Sequence, residues 1–389
     1  MIRTNESPGY SGRFNRMERA ALRQSPTAWG EIILNGNPHP VRTMLASSNP
    51  LSNLSDQKTA GKTVQALDLI APMDFYPNAW HIDDEMASYD ITFYNAFSET
   101  SLGGNTVAII LDAGGIEARQ MASIAKKLNA PATAFVTGLD ETSVDVRFFS
   151  VSHEYPMCGF GIIGLITSLV DQTTFNLDNE QPLQWELRTP TSTVAVTSTR
   201  RADGEVVVMT TLPPAQLETR SPNLQALAGA LGIEVSGFDE VLPIQAAHSD
   251  FVNLLVPVKD KSVMQTMSAN METIKELCSD LGIDTIVVFT ADTEEPNRTV
   301  HCREFCPAIG IPESAATGTT NRALACYLVN NGQVELNSDE RCTVVAEQGY
   351  EMGRPSPITT EVMARDGEIT TLRVGGTATK LIQGTFTFC

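Results

Sequence analysis

The residues best placed for chemistry in this 389-residue chain fall at two glycine turns. The first is Met157-Cys158-Gly159-Phe160-Gly161, followed by an apolar run to Val170. The second is Glu313-Ser314-Ala315-Ala316-Thr317-Gly318-Thr319, followed by a helical run to Val329. Each follows a strand-like segment with one arginine, Arg147 or Arg303. Glycine at a helix start lets the backbone approach a ligand, and the unpaired N–H groups there favour an anion. Two such turns facing each other across a cleft would clamp a carboxylate. Gly159, Gly161, Gly318 and Thr319 are therefore the candidate anion-holding groups. Cys158 is the candidate proton carrier, because a helix N-terminus stabilises a thiolate. A single base can lift a proton from one carbon and return it to another. The competing reading of Cys158 is a buried structural cysteine.

The other reactive side chains carry weaker signals. His153, Glu154 and Glu313 read as solvated loop residues. Cys302 and Cys306, with His301 beside them, lack two further ligands at matching spacing, so packing is the better reading and no metal site is expected. Arg354 reads equally as an anion anchor or a surface ion pair.

The elements that must position these residues are legible from periodicity. Ile91–Phe97 and Val107–Leu111 read as strands, and 117–128 as a helix with Met121, Ile124, Ala125 and Leu128 on one face. Val144, Val146 and Phe148 alternate with polar residues, as in a half-buried strand. Asp203-Gly204 marks a hairpin between Val194–Val196 and Val206–Met209. Ser221-Pro222 reads as a cap and first helical position, with Gly232 closing that helix. Val252–Val258 and Thr285–Thr290 are further strands. From Tyr155 to Val170 there is no charge; a helix apolar on all sides is a buried one. Strands alternating with helices, plus several hairpins, give an α/β class with mixed sheets.

Composition excludes several functions. Apolar residues make up 42% and charged residues 19%, enough for a sizeable core. The formal net charge of -19 disfavours nucleic acid and anionic membranes as partners. No apolar run is long enough to span a bilayer, and the N-terminal residues lack an apolar signal core, which points to the cytoplasm. Seven cysteines, odd and sparse, argue against a disulfide framework. The first 88 residues read as a separate extension, with one strand–helix–strand unit over 41–73. Its segments Pro40-Val41-Arg42-Thr43-Met44, Ser48-Asn49-Pro50-Leu51 and Ala66-Leu67-Asp68-Leu69-Ile70 resemble part of a molybdopterin oxidoreductase, over residues 27–82. That family's cofactor-binding remainder is missing, so the likeness implies a remnant with no redox role.

From about residue 90 to 388 the chain resembles the PhzF-like isomerase family, related to diaminopimelate epimerase and proline racemase. The likeness is carried by Gly104-Asn105-Thr106-Val107-Ala108, Gln120–Ala125, Ala132–Val136, Val146–Phe149, Met157-Cys158-Gly159 and Ala316-Thr317-Gly318-Thr319. Near the C-terminus it is carried by Val374–Ala378 and, most specifically, by Glu347-Gln348-Gly349-Tyr350-Glu351-Met352-Gly353-Arg354-Pro355-Ser356. The resemblance implies two similar halves, each a sheet rolled around a central helix, over 89–212 and 213–370. Residues 371–389 would return to the first half. It also implies a site between the halves, no cofactor, a homodimer and a small carboxylated substrate, with Asn105 and Ser314 shaping the site. The chain departs from the family at its acid–base positions. The family's Glu, His and Asp fall at Ala132, Phe160 and Ser314, and neither alanine nor phenylalanine can carry a proton. Two-thiol racemisation also loses a partner, because the second thiol falls at Ala315. The expectation is an isomerase or epimerase moving one proton. The alternative is a decayed homologue that binds small anions without turnover.

Overall fold

The computed structural model describes residues 87–172 and 182–388. The 41–73 unit and the oxidoreductase-like stretch lie outside them. The first half runs β1 (Ala87–Ala96), β2 (Asn105–Ile110), α1 (Ala118–Leu128), β3 (Ala132–Leu139), β4 (Ser143–Phe149) and β5 (Glu154–Tyr155), then α2 (Gly159–Gln172), β6 (Leu183–Arg188), β7 (Thr193–Arg200) and β8 (Val206–Leu212). The second begins with β9 (Gln216–Thr219), α3 (Leu224–Leu231), β10 (Gln245–His248), β11 (Val252–Pro257), α4 (Lys261–Thr266) and α5 (Met271–Leu281). It continues through β12 (Thr285–Thr290), β13 (Val300–Cys306), β14 (Ile311–Ser314), α6 (Gly318–Asn330), β15 (Arg341–Gln348), β16 (Ser356–Arg365) and β17 (Glu368–Gly376). Finally β18 (Ala378–Phe388) pairs antiparallel with β1.

The two halves repeat one topology. A parallel step, β2 to β3 or β11 to β12, crosses over through surface helices. An antiparallel strand follows, β4 or β13, and then a short strand, β5 or β14, at its edge. A second parallel step, β4 to β6 or β13 to β15, crosses over through the central helix α2 or α6. Antiparallel hairpins finish each half, and β17 pairs with β16 on one side and β8 on the other, making the sheet continuous.

Burial explains the roll. Every residue of α2 from Gly161 to Val170 is buried, so the sheet has to surround the helix. Val107, Ala134, Val146, Trp185, Val196 and Val208 face it from successive strands. Around α6 the same is done by Ala247, Leu255, Val287, Val300, Val344 and Val362. The opposite sheet faces are covered by the amphipathic helices, α1 on Ile110 and Phe135, and α3 to α5 on Val256, Val288 and Phe305. No described helix is long and apolar enough to cross a membrane.

One helix start differs from its sequence expectation. α3 begins at Leu224, with Asn223 rather than Ser221 as its cap. The Asn223 side chain accepts from the N–H groups of both Gln225 and Ala226, at 3.0 and 3.1 Å, which leaves Pro222 outside the helix. Gly232 closes α3 in the left-handed region as expected.

Candidate active site

The starts of α2 and α6 meet. Gly159 of α2 and Gly318 and Thr319 of α6 line one crevice, walled by Phe97, Met157, Ile163, Leu212 and Val374. The first N–H groups of a helix have no partner within it, and both helix starts border this apolar slot. Its free volume is about 10 Å³, on the order of one water molecule, so no organic molecule fits between the walls as they stand.

Hydrogen bonds across the halves hold these loops. Asn105, at the start of β2, donates through Nδ2 to the Ala316 carbonyl at 2.7 Å. The Gly104 N–H donates to Ser356 Oγ at 3.2 Å, and Ser356 Oγ donates to the Arg354 carbonyl at 2.8 Å. Arg354 itself is half-buried and reaches Thr106 Oγ1 at 3.4 Å, so it braces the β2 start and forms no ion pair among the described residues. Gln348 donates to the Ser314 carbonyl at 2.8 Å and accepts from Asn321 at 2.9 Å. The run Glu347–Ser356 is thereby explained as the frame of the loop before α6.

Cys158 takes the buried form that the sequence offered as its competing reading. It is buried in the first half's core with Phe148 and Ile162 and is absent from the crevice lining. Burial pushes its thiol up to about 12, although the Gly161 N–H is directed at the sulfur and works the other way. Desolvation therefore outweighs the helix terminus, and the thiol stays protonated at neutral pH. The Gly161 N–H is directed at Cys158, and Gly161 is not in the crevice lining. Ala132 lies fully buried on the same inner face, and Phe160 packs against that core from the start of α2.

The loop acids are not free. Arg147 makes a bidentate pair with Glu154, both contacts 2.7 Å, across β4 and β5. Arg303 repeats it with Glu313 at 2.9 and 3.0 Å across β13 and β14. In each half the guanidinium also sits over the phenylalanine two residues on, Phe149 or Phe305. These pairs pin the loops that lead into α2 and α6. His153 hydrogen-bonds Ser150 and Ser152 beside the first.

Two groups escaped the sequence reading. His301 is buried, with Nδ1 2.7 Å from Glu347 and Nε2 2.8 Å from Glu351. Burial alone would lower its basicity, but the two carboxylates outweigh that and raise it to about 9. Cys302 instead faces Asn321 and Gln348, so His301 and the two cysteines do not converge. Among the described residues no group of three or more such ligands could hold a metal ion. The second group is Glu304, 3% exposed on the inner face of β13. Its carboxylate accepts from Thr317 Oγ1 and, at 2.6 Å, from Thr320 Oγ1 at the start of α6. Burial raises its carboxyl above the usual range despite those bonds.

Comparisons with known proteins agree with this geometry. The profile of the family described as "Phenazine biosynthesis-like protein" matches residues 94–384. An uncharacterized isomerase of Deinococcus radiodurans is 29% identical over 73% of this chain and 90% of its own length. A trans-2,3-dihydro-3-hydroxyanthranilate isomerase of Pseudomonas chlororaphis is 27% identical over 75% of this chain and 96% of its own. The crystal structure of a Bacillus anthracis phenazine biosynthesis protein of the PhzF family superposes with a TM-score of 0.70 at 24% identity, covering 78% of this chain and 99% of that one.

Proposed function

The chain belongs to the phenazine biosynthesis-like family, and on that premise we propose that it is a cofactor-independent isomerase moving one proton on a small carboxylated substrate. The observation that carries this reading is the meeting of Gly159 with Gly318 and Thr319 at one crevice. The paired N–H groups hold the carboxylate, and the apolar walls take the carbon skeleton. Holding the anion there favours the added electron density that appears when a neighbouring C–H bond breaks. Asn105 positions the α6 loop through Ala316. A cytoplasmic homodimer, as the resemblance implies, belongs to the same proposal.

The test is solvent deuterium incorporation, followed by mass spectrometry. The panel is trans-2,3-dihydro-3-hydroxyanthranilate together with simple unsaturated and cyclic carboxylates. Incorporation at carbon is the expected result. A melting shift with a carboxylate but no incorporation would support the non-catalytic anion binder, which the apolar Ala132 and Phe160 favour.

Two variants sharpen the assignment. A methyl group at Gly159 would meet no atom within 4 Å, so Gly159→Ala should fold with an unchanged melting temperature. The methyl stands in open space beside the helix start, where a bound carboxylate would meet it, and exchange should fall by about 10²-fold, as expected when a bound group is displaced by an ångström or so. Normal exchange in this variant would move the site elsewhere. Cys158→Ala should exchange at the wild-type rate, and a large loss would return the proton to the thiol.

A further inference from the structure

Glu304 is a buried carboxyl whose bonded partners are threonine hydroxyls and the Gln348 side-chain amide; the nearby guanidinium of Arg303 is committed to Glu313 and to the Met264 carbonyl. Ionising such a group without a cation is costly, so burial favours the protonated form while the hydrogen bonds favour the charged one. The hydrogen bonds lead outward from it. Thr317 Oγ1 contacts Glu304 Oε2 and lies 2.9 Å from Ser314 Oγ. A hydroxyl has one proton to donate, so Thr317 cannot satisfy both oxygens as donor. Either Glu304 donates to Thr317 and Thr317 to Ser314, or the order is reversed. Both orders form an unbroken chain from a sealed carboxyl to half-buried Ser314, whose other acceptor, the Ala316 carbonyl, is distant at 3.4 Å. Thr317 is the residue before α6, yet its side chain makes no capping bond to the helix. The hydroxyl is committed to the chain instead. Nearby Asn253, fully buried, donates to Thr320 at 3.3 Å, and its Oδ1 has no partner among the described residues, which marks this pocket as one with an unfilled acceptor.

We propose that Glu304, Thr317 and Ser314 form a proton relay between the buried Glu304 carboxyl and a substrate held at the start of α6, which Ser314, outside the crevice lining, meets once the walls part. The proposal rests on the isomerase reading for its substrate. Starting from ionised Glu304, the substrate C–H bond breaks and its electron pair stays in the conjugated carboxylate skeleton. That proton goes to Ser314 Oγ, the Ser314 proton to Thr317 Oγ1, and the Thr317 proton to Glu304. The reverse transfer places one proton on the other carbon. One proton leaves the substrate and one returns, with no oxidation and no co-reactant.

The first experiment needs no substrate. Infrared spectroscopy of the whole protein through a pH titration should show a protonated carboxyl band that persists above the ordinary carboxylate range and that Glu304→Gln removes. On dilution into D₂O, Ser314→Ala and Thr317→Val should slow its exchange by roughly tenfold or more, equivalent to about 1.4 kcal/mol on the barrier, and Thr317→Ser should restore it. Absence of a Glu304-dependent band, or an unchanged exchange rate in Ser314→Ala, would overturn the relay. With a substrate that exchanges, Glu304→Gln should lose about 10²-fold or more in deuterium incorporation while keeping its melting temperature. Full incorporation by Glu304→Gln would overturn the relay and leave the isomerase reading standing. No incorporation by wild type across the panel would remove the isomerase reading, and the infrared result alone would then decide the proton path.

Discussion

Replacing His301 with alanine should destabilise the fold by about 3–5 kcal/mol, the usual cost of stripping one partner from a buried ion pair. The side chain is 1% exposed and lies between Glu347 and Glu351. Both ring nitrogens face carboxylate oxygens, so the imidazolium satisfies both as a donor. Glu347 also accepts the N–H groups of Glu294 and Glu295, which ties β13 and β15 to the loop after β12. Raising the imidazole from 6.5 to about 9 corresponds to about 3 kcal/mol at about 1.4 kcal/mol per pH unit, in line with the ion-pair figure. The pH dependence has a definite sign. A raised basicity stabilises fully below pH 6.5 and the gain is lost as pH rises through about 9. For Glu347 and Glu351 burial works to raise the pKa, but the His301 hydrogen bonds outweigh it and hold both below 4.5. Their contribution is therefore present above that pH and is lost on further acidification. Urea unfolding should show wild-type stability falling between neutral pH and pH 9–10, with a flatter profile in His301→Gln, on the order of the same 3 kcal/mol. A His301→Ala midpoint matching wild type would remove the network from the stability account.

Gly349→Ala should cost about 2–5 kcal/mol and also abolish exchange at the crevice. Gly349 sits at φ +79, where a side chain costs about 1–2 kcal/mol. Its Cβ would fall 2.5 Å from the Arg354 carbonyl oxygen and 2.7 Å from that of Ala315. Both are backbone atoms, so relief requires moving the loops, at about 1–3 kcal/mol more. One of those loops carries Ser314 to Thr317 into the start of α6. Melting and exchange should fail together in this variant, unlike Gly159→Ala, where exchange alone should fall. A Gly349→Ala protein with wild-type stability and exchange would mean that the frame tolerates what its spacing forbids.

Periodicity made much of the fold legible because it reports burial directly. The uncharged α2 run announced a surrounded helix, and the repeated turn announced a second one. The losses have physical causes. Strands β5 and β14 have two and four residues, too few for alternation to show, so Glu154 and Glu313 looked solvated when each is clamped by an arginine. The His301 network depends on the parallel register that sets His301 beside Glu347, a pairing between residues far apart in the chain. For Cys158 two opposing effects, helix terminus and desolvation, had to be weighed, and only the packing decides which wins. Glu304 did leave a signal. Val300 and Cys302 point inward from β13, and alternation puts Glu304 on that same face, a carboxylate where the pattern calls for an apolar residue.

The central claim is that the two helix starts hold a carboxylate together. Backbone amide NMR during titration with the panel carboxylates tests it most directly. Gly159, Gly318 and Thr319 should shift together and saturate with one binding constant, and Gly159→Ala should weaken all three. Saturable binding that leaves these three amides unmoved would contradict it.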